Sequence, residues 1–232
     1  MKATAGKGSG TRAPAEAAAL FPAFLKLAGR PCLIVGAGTV GQPKIEGLLS
    51  AGAEVTAVAP QATEAVRAWA RAGRLRWHAR PFEASDLEGV FLTVVATPFR
   101  ELNDMVFRQA RERGVLCNVV DDPPRCDFYY PAVVRRGALQ IAISTDGKSP
   151  ALAQRLRKEL EDEFGPVYHG WIEELGRART RLFAQPIDPV VRKQLLHSMA
   201  SRASFEEYKQ KCSGPGEAAG TPGSKEGMRD ER

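Results

Sequence analysis

The residues whose types and spacing best suit them for chemistry are three glycines and a pair of carboxylates. Gly36, Gly38 and Gly41 stand at GxGxxG spacing within Arg30-Pro-Cys-Leu-Ile-Val-Gly-Ala-Gly-Thr-Val-Gly-Gln-Pro-Lys44. Cys32 to Val35 make an apolar run of strand length before them, and Ile45, Leu48 and Leu49 repeat at helical spacing after them. Strand, glycine turn and helix in that order form a phosphate cradle. The first glycine turns the chain tightly, the second lets the backbone approach a pyrophosphate, and the third lets the helix sit close on the strand. The helix N-terminus adds free N–H groups and a partial positive charge. Gly36, Ala37, Gly38, Thr39, Val40 and Gly41 are therefore the expected dinucleotide contacts.

The carboxylates are Asp121 and Asp122, which follow directly on the apolar run Val115–Val120. Ligands of open α/β sheets bind beyond the carboxyl ends of the strands, so the glycine turn, Thr97-Pro98 and the stretch from Asn118 to Asp122 should converge there. A carboxylate in that place can take a proton as hydride leaves a substrate. Asp121-Asp122-Pro123-Pro124 also reads as a plain turn, and position by itself does not choose. The acidic residue expected ~20 residues after the glycines, where it would hold an adenine ribose, is missing. Val58, Ala59 and Pro60 occupy its place. Either backbone groups near Pro60 and Gln61 hold the ribose or cofactor selectivity is loose, and this criterion leaves NAD and NADP both open.

The elements that must position these groups alternate. After the first strand and helix, with Gly52 as a C-terminal stop, Glu54–Pro60 reads as a strand and Thr63–Ala72 as a helix. Pro43 fits only in the first turn of its helix, where a missing N–H costs no hydrogen bond. Leu75–Phe82 is a short strand, and Gly89–Ala96 is a run apolar enough for a strand buried on both faces. Glu101–Arg113 makes an amphipathic helix and Val115–Val120 the next buried strand. This pattern specifies an α/β fold, a Rossmann-like doubly wound parallel sheet with right-handed crossovers.

Beyond Asp122 the pattern changes. Phe128–Val134 and Leu139–Ser144 form a hairpin-like pair separated by Arg135-Arg136-Gly137. Ser149-Pro150 caps a helix from about Ala151 to Glu163, Gly165-Pro166 breaks it, and helices over Val167–Phe183 and Pro189–Lys211 complete a helical C-terminal region. Leu20–Leu27 brings apolar residues that would cover the bottom or edge of the sheet. The expected divisions are a disordered leader at 1–19, a nucleotide-binding domain at 20–122, a β segment at 123–150, the helical region at 151–211 and a disordered tail at 212–232.

Composition sets the outer bounds. The 232 residues are 44% hydrophobic and 26% charged, ordinary for a soluble globular protein. No apolar stretch is long enough to span a bilayer and no signal-peptide core is present, so a cytoplasmic protein is expected. The formal charge of +6 is scattered and partly terminal. It suits a solvated surface or an acidic ligand, whereas nucleic acid is disfavoured because no recognised module or basic helix interleaved with aromatics is present. Cys32, Cys117, Cys126 and Cys212 stand far apart without a CxxC pair, and His78, His169 and His197 are equally dispersed. No metal site follows from them.

The order Phe21-Pro-x-Phe-Leu-x-Leu, Gly36-Ala-Gly-Thr-Val, Leu48-Leu-x-Ala-Gly-Ala-Glu-Val-Thr-x-Val-Ala-Pro60, Val95-Ala-Thr97, Asn118-Val-Val-Asp121 and Ile141-Ala-Ile-Ser-Thr-Asp-Gly-Lys-Ser-Pro-Ala-Leu-Ala153 resembles the siroheme synthase dehydrogenase module. The resemblance runs from about Leu20 to Glu163. It implies NAD-dependent oxidation of precorrin-2 to sirohydrochlorin, with Asp121 as the catalytic aspartate and Thr39, Val40, Pro60 and Gln61 among the cofactor contacts. It also implies a homodimer through the region from about Asp122 to Pro150, and in members that chelate metal, Fe2+ as a further substrate. Arg135, Arg136, Arg155 and Arg157 are candidate contacts to the substrate's carboxylates. Many members carry Ala at the place of Gly41 and Arg at that of Pro43, and Thr145 stands where some carry a modifiable serine. The methyltransferase domain fused in some members is not expected, so precorrin-2 would come from a separate enzyme. A dehydrogenase without chelation and a non-catalytic NAD- or tetrapyrrole-binding regulator remain open as alternatives.

Overall fold

The computed structural model describes residues 19–212. The leader and tail expected at 1–19 and 212–232 lie outside that range except for Ala19 and Cys212. The described chain divides into two compact units between Tyr130 and Pro131.

The first unit is a five-stranded sheet of β1 (Pro31–Ala37), β2 (Glu54–Ala62), β3 (Arg76–His78), β4 (Leu92–Val95) and β5 (Leu116–Val119). The strands are parallel throughout and ordered β3-β2-β1-β4-β5. Strand order thus reverses between β1 and β4, the switch point at which such sheets bind ligands. Helices α1 (Gly41–Ser50), α2 (Glu64–Arg71) and α3 (Arg100–Glu112) supply the crossovers. Cys32, Ile34, Val55, Ala57 and Val94 pack on one face with Ile45 and Leu48 of α1, while Leu33, Val35, Val58, Val95 and Cys117 pack on the other with Val106 and Ala110 of α3. Burial on both faces explains why these strands read as unbroken apolar runs. It also pushes the Cys32 thiol up to about 11 and the Cys117 thiol up to about 12, so both side chains behave as small hydrophobes.

The second unit begins with an antiparallel hairpin, β6 (Ala132–Arg136) and β7 (Leu139–Ile143), followed by α4 (Pro150–Glu163), α5 (Val167–Phe183), α6 (Pro189–Met199) and α7 (Arg202–Cys212). Ser149 caps α4, its hydroxyl accepting from the Leu152 N–H at 3.3 Å, with Pro150 at the first helical position. Tyr168 and Trp171 of α5 pack with Phe205 of α7, the Tyr168 and Phe205 rings stacked at 4.3 Å.

Several sequence expectations are revised. The strand expected over Leu75–Phe82 shortens to Arg76–His78, because Ala84–Leu87 forms a 3-10 turn tied down by Asp86, which accepts from Arg80 at 2.6 Å. Arg135 and Arg136 belong to β6, opposite Gln140 and Leu139, and the turn is reduced to Gly137-Ala138. The helix expected over Pro189–Lys211 is two helices, since the Ser201 hydroxyl accepts from the Ser204 N–H and starts a new one. Cys212 ends α7 and so falls in a helix. Of Leu20–Leu27, Leu27 joins the core, but Phe21 is 89% exposed and Phe24 68% exposed, so that segment does not cover the sheet.

Thr93, within β4, is fully buried and its hydroxyl has no hydrogen-bond partner among the described residues. Thr93→Val keeps the shape and removes that unpaired group. Calorimetry should show stabilisation by about 1 kcal/mol, or a midpoint rise of roughly 2–4 °C. A lowered midpoint would mean the hydroxyl is satisfied.

Candidate active site

The glycine turn is held by contacts that leave no room for side chains at two of its three positions. Gly36 has φ +101, and a Cβ there would lie 2.4 Å from the Ala96 carbonyl oxygen of the neighbouring strand's extension. At Gly41 a Cβ would lie 2.1 Å from the Gly36 carbonyl oxygen, so the Ala carried by many members of the resembling family could enter this chain only with a backbone shift. Gly38 is different: an added Cβ would meet nothing within 4 Å. Its missing side chain leaves open space in front of the backbone, which is what an approaching pyrophosphate needs.

The helix end points into that space uncapped. Val40 precedes α1 without a side-chain cap, and the first turn holds no acidic residue. Among the described residues, the N–H groups of Gly38, Thr39 and Val40 donate to no protein acceptor. Pro43 sits within the first turn of α1, as its missing N–H requires. Exposed donors and the helix dipole make this an anion cradle, and the residues present fit a dinucleotide.

The neighbouring strand ends carry the other expected residues. The Thr97 hydroxyl donates to Asn103 Oδ1 at 2.6 Å and accepts from the Phe99 N–H at 3.2 Å, while Asn103 Nδ2 donates to the Thr97 carbonyl at 3.1 Å. Thr97 is therefore a fixed wall beside Gly36, oriented by Asn103, which the sequence had not pointed to. Pro60 and Gln61 are exposed near the end of β2, where Trp77 Nε1 donates to the Ala59 carbonyl at 3.0 Å. Asn118 is buried, and its Nδ2 donates to the Phe128 carbonyl at 2.7 Å. That bond draws the chain after Asp121 back alongside β5, with Asp127 Oδ2 accepting from the Cys117 N–H at 3.0 Å.

The two carboxylates separate. Asp122 accepts from Arg125 at 2.6 Å, and Arg125 also pairs with Asp104 of α3. Asp121 makes neither a hydrogen bond nor an ion pair among the described residues, is exposed, and has φ +61. A non-glycine residue held in the left-handed region is uncommon, and aspartate is one of the few that tolerates it. Sequence reasoning also passed over Lys44 of α1 and Tyr130. The Lys44 ammonium stands 4.0 Å from the centroid of the Tyr130 ring. Burial lowers the Lys44 pKa, opposed by the nearby Asp121 charge, and burial pushes the Tyr130 hydroxyl up to about 12.

Other groups lie elsewhere. A cleft of about 640 Å³, lined by Pro31, Glu54, Arg74, Arg76, Asp86 and Glu88 among others, opens at the amino ends of β1 and β2, the end of the sheet away from the cradle. In the second unit, Arg155 pairs with Glu159 at 2.7 Å, Arg157 pairs with Glu161, and Arg136 donates to the Glu161 carbonyl at 2.8 Å. Among the described residues no group of three or more His, Cys, Asp and Glu side chains is placed to hold a metal ion, and no helix is long and apolar enough to cross a membrane.

A parallel sheet wound in this order, with an uncapped helix and an open glycine at its switch point, defines a dinucleotide-binding α/β protein. An NAD(P)-binding family model matches residues 23–132, and a model of the central region of sirohaem biosynthesis proteins matches residues 136–163. The chain is 42% identical over 188 residues to siroheme synthase 1 of Pectobacterium atrosepticum, covering 81% of this chain and 37% of that protein. It is 45% identical over 141 residues to the siroheme synthase of Methylococcus capsulatus, covering 61% of this chain and 30% of that one. A solved structure of SirC, a precorrin-2 dehydrogenase, is 28% identical with a TM-score of 0.71, covering 84% of this chain and 99% of that one. The chain belongs to the siroheme synthase N-terminal module family, and spans well under half the length of the siroheme synthases it matches.

The steric contrast within the glycine turn is testable. Gly38→Val should fold with a stability change within about 0.5 kcal/mol, since its site is open, yet lose NAD binding in a calorimetric titration. Gly36→Ala should instead lower the unfolding midpoint sharply. Undiminished NAD affinity in Gly38→Val would contradict the cradle.

Proposed function

We propose that this protein catalyses the NAD-dependent oxidation of precorrin-2 to sirohydrochlorin, acting as a cytoplasmic homodimer. The observation that carries the reading is Asp121, an unpaired carboxylate held at φ +61 where β5 ends, close enough to α1 for its charge to act on Lys44. The likeness to SirC, which extends over 99% of that dehydrogenase, supports the choice of substrate.

The reaction removes a hydride and a proton from the macrocycle: precorrin-2 and NAD+ give sirohydrochlorin, NADH and H+. NAD+, when bound, supplies the hydride acceptor. The N–H groups of Gly38, Thr39 and Val40 would hold the pyrophosphate, Pro60 and Gln61 would border the adenosine, and the Thr97 wall and the strand end at Asn118 would flank the nicotinamide end. Asp121 Oδ accepts the proton. Asp122 cannot serve equally, because Arg125 occupies it. The name shared by the longer relatives also supports Fe2+ insertion as a second activity of the same site. Two pyrrole protons must then leave as the metal enters, and Asp121 is again the available acceptor.

Anaerobic incubation of the protein with precorrin-2 and NAD+ should give the sirohydrochlorin spectrum with matching NADH. No spectral change would overturn the reading, and NAD binding without turnover would indicate a regulator. Addition of Fe2+ then separates chelation from oxidation alone. Asp121→Asn should fold, because asparagine also tolerates the left-handed region. It should bind NAD normally and lose at least ~100-fold in kcat. Full activity in that variant would remove Asp121 from the mechanism.

A further inference from the structure

Lys44 is a partly buried cation seated on an aromatic ring, whereas Arg30, Arg74 and Arg111, which also lie over rings, are exposed. Many other basic side chains are neutralised: Arg67 and Arg71 by Glu64, Arg80 by Asp86, Arg125 by Asp104 and Asp122, and Arg177 and Arg181 by Glu174. Lys44 is partly buried, yet among the described residues its ammonium makes no hydrogen bond and no ion pair. Its ammonium rests on the Tyr130 ring at 4.0 Å. An aromatic face positions a cation without consuming its N–H donors. Asp121 is near enough to act on it electrostatically but lies outside ion-pair distance.

A partly desolvated ammonium with free donors gains most from an anionic partner. Two kinds of anion could reach this rim, the cofactor's phosphates and a substrate carboxylate. The cradle already offers three unpaired backbone N–H groups to the phosphates, whereas the Lys44 ammonium lies close enough to Asp121 for the two charges to act on one another. Tyr130, moreover, belongs to the segment that returns from Asp121 by way of the Asn118–Phe128 bond, so the ring fixes the ammonium relative to the proton acceptor.

We infer that Lys44 is the carboxylate anchor of the substrate site: its ammonium, seated on Tyr130 beside Asp121, binds one acid side chain of the tetrapyrrole and sets which edge of the macrocycle faces Asp121. The inference rests on the precorrin-2 reading for the identity of the carboxylate. Lys44→Met keeps the length of the side chain and removes the charge, Lys44→Arg restores the charge, and Tyr130→Leu removes the seat.

The experiment measures three quantities for each protein: kcat and KM for precorrin-2, Kd for metal-free sirohydrochlorin by fluorescence under anaerobic conditions, and Kd for NAD. Lys44→Met should raise KM and the sirohydrochlorin Kd about tenfold or more, the loss of one charge-assisted contact. The NAD Kd and the unfolding midpoint should stay near wild type. Lys44→Arg should recover most of the loss, and Tyr130→Leu should reproduce part of it. The sirohydrochlorin Kd of Lys44→Met should also depend less on salt than that of the wild type. An unchanged sirohydrochlorin Kd overturns the inference, and so does a rise in the NAD Kd by the same factor, which would assign Lys44 to the phosphates. Wild-type protein that binds sirohydrochlorin without oxidising precorrin-2 overturns the dehydrogenase reading while the Kd series still decides the role of Lys44. Wild-type protein that binds no sirohydrochlorin overturns both.

Discussion

The first unit depends on how closely three backbone segments approach one another at Gly36. The chain leaves β1 there with a positive φ, the Ala96 carbonyl of the neighbouring segment occupies the space a side chain would need, and the first residue of α1 presses on the Gly36 carbonyl. The register records the same event, since β1 and β2 pair evenly up to Val35 and shift between Val35 and Ala37. Because the helix starts so tightly against the strand, its N–H groups face the gap between β1 and β4. A looser turn would still connect strand to helix, but the dipole and the free donors would point elsewhere.

From that contact the rest of the site is reached by continuous backbone pairing. The Ala96 N–H donates to the Val35 carbonyl at 2.8 Å, and the Val120 N–H donates to the Val95 carbonyl at 2.9 Å. Each strand therefore ends one hydrogen bond further across the sheet, and Asp121 emerges at a height fixed by Gly36. The loop that follows is then clamped from outside. Cys126 Sγ donates to the Val119 carbonyl at 3.2 Å, Arg125 ties Asp122 to α3, and Asn118 holds Phe128. These bonds over-determine the loop, which is the condition under which an uncommon backbone conformation such as that of Asp121 persists. The left-handed region favours no bulky residue, so the same geometry that stores the strain selects a short polar side chain at the end of β5.

How much of this was legible in the sequence follows from which forces act locally. The strand–glycine turn–helix order, the position of Pro43, the Ser149 cap and the alternation of strands and helices all rest on glycine, proline and apolar periodicity within a few residues, and each matches the structure. What escaped was non-local. Nothing in Asp121-Asp122 says which carboxylate will meet Arg125, because the choice is made by Asp104 on α3, held at a distance by the fold. Asn103 and Tyr130 are likewise unremarkable as letters and acquire roles only when the turn after β4 and the segment after β5 come into place. The break at Ser201 was hidden for the opposite reason, since helical spacing persists on both sides and a single hydroxyl decides the boundary.

The charge of +6 illustrates the limit of composition most clearly. Read as a total, it suits either a solvated surface or an acidic ligand, and the family resemblance makes Arg155 and Arg157 two of the candidate contacts to such a ligand. In the structure these two face carboxylates one turn away on their own helix, an arrangement worth about 0.2–0.5 kcal/mol per pair to the helix and well suited to a solvated surface. Each guanidinium already spends one donor on its glutamate. Capacity to bind an anion therefore resides in donors that the protein leaves unmatched. In the first unit such donors include the peptide N–H groups opened by the absence of a side chain at Gly38, and a partly buried ammonium steadied by an aromatic ring. The ammonium also lies close enough to Asp121, the carboxylate left without a partner among the described residues, for the two charges to act on one another, so the candidate site is marked by unpaired groups rather than by net charge.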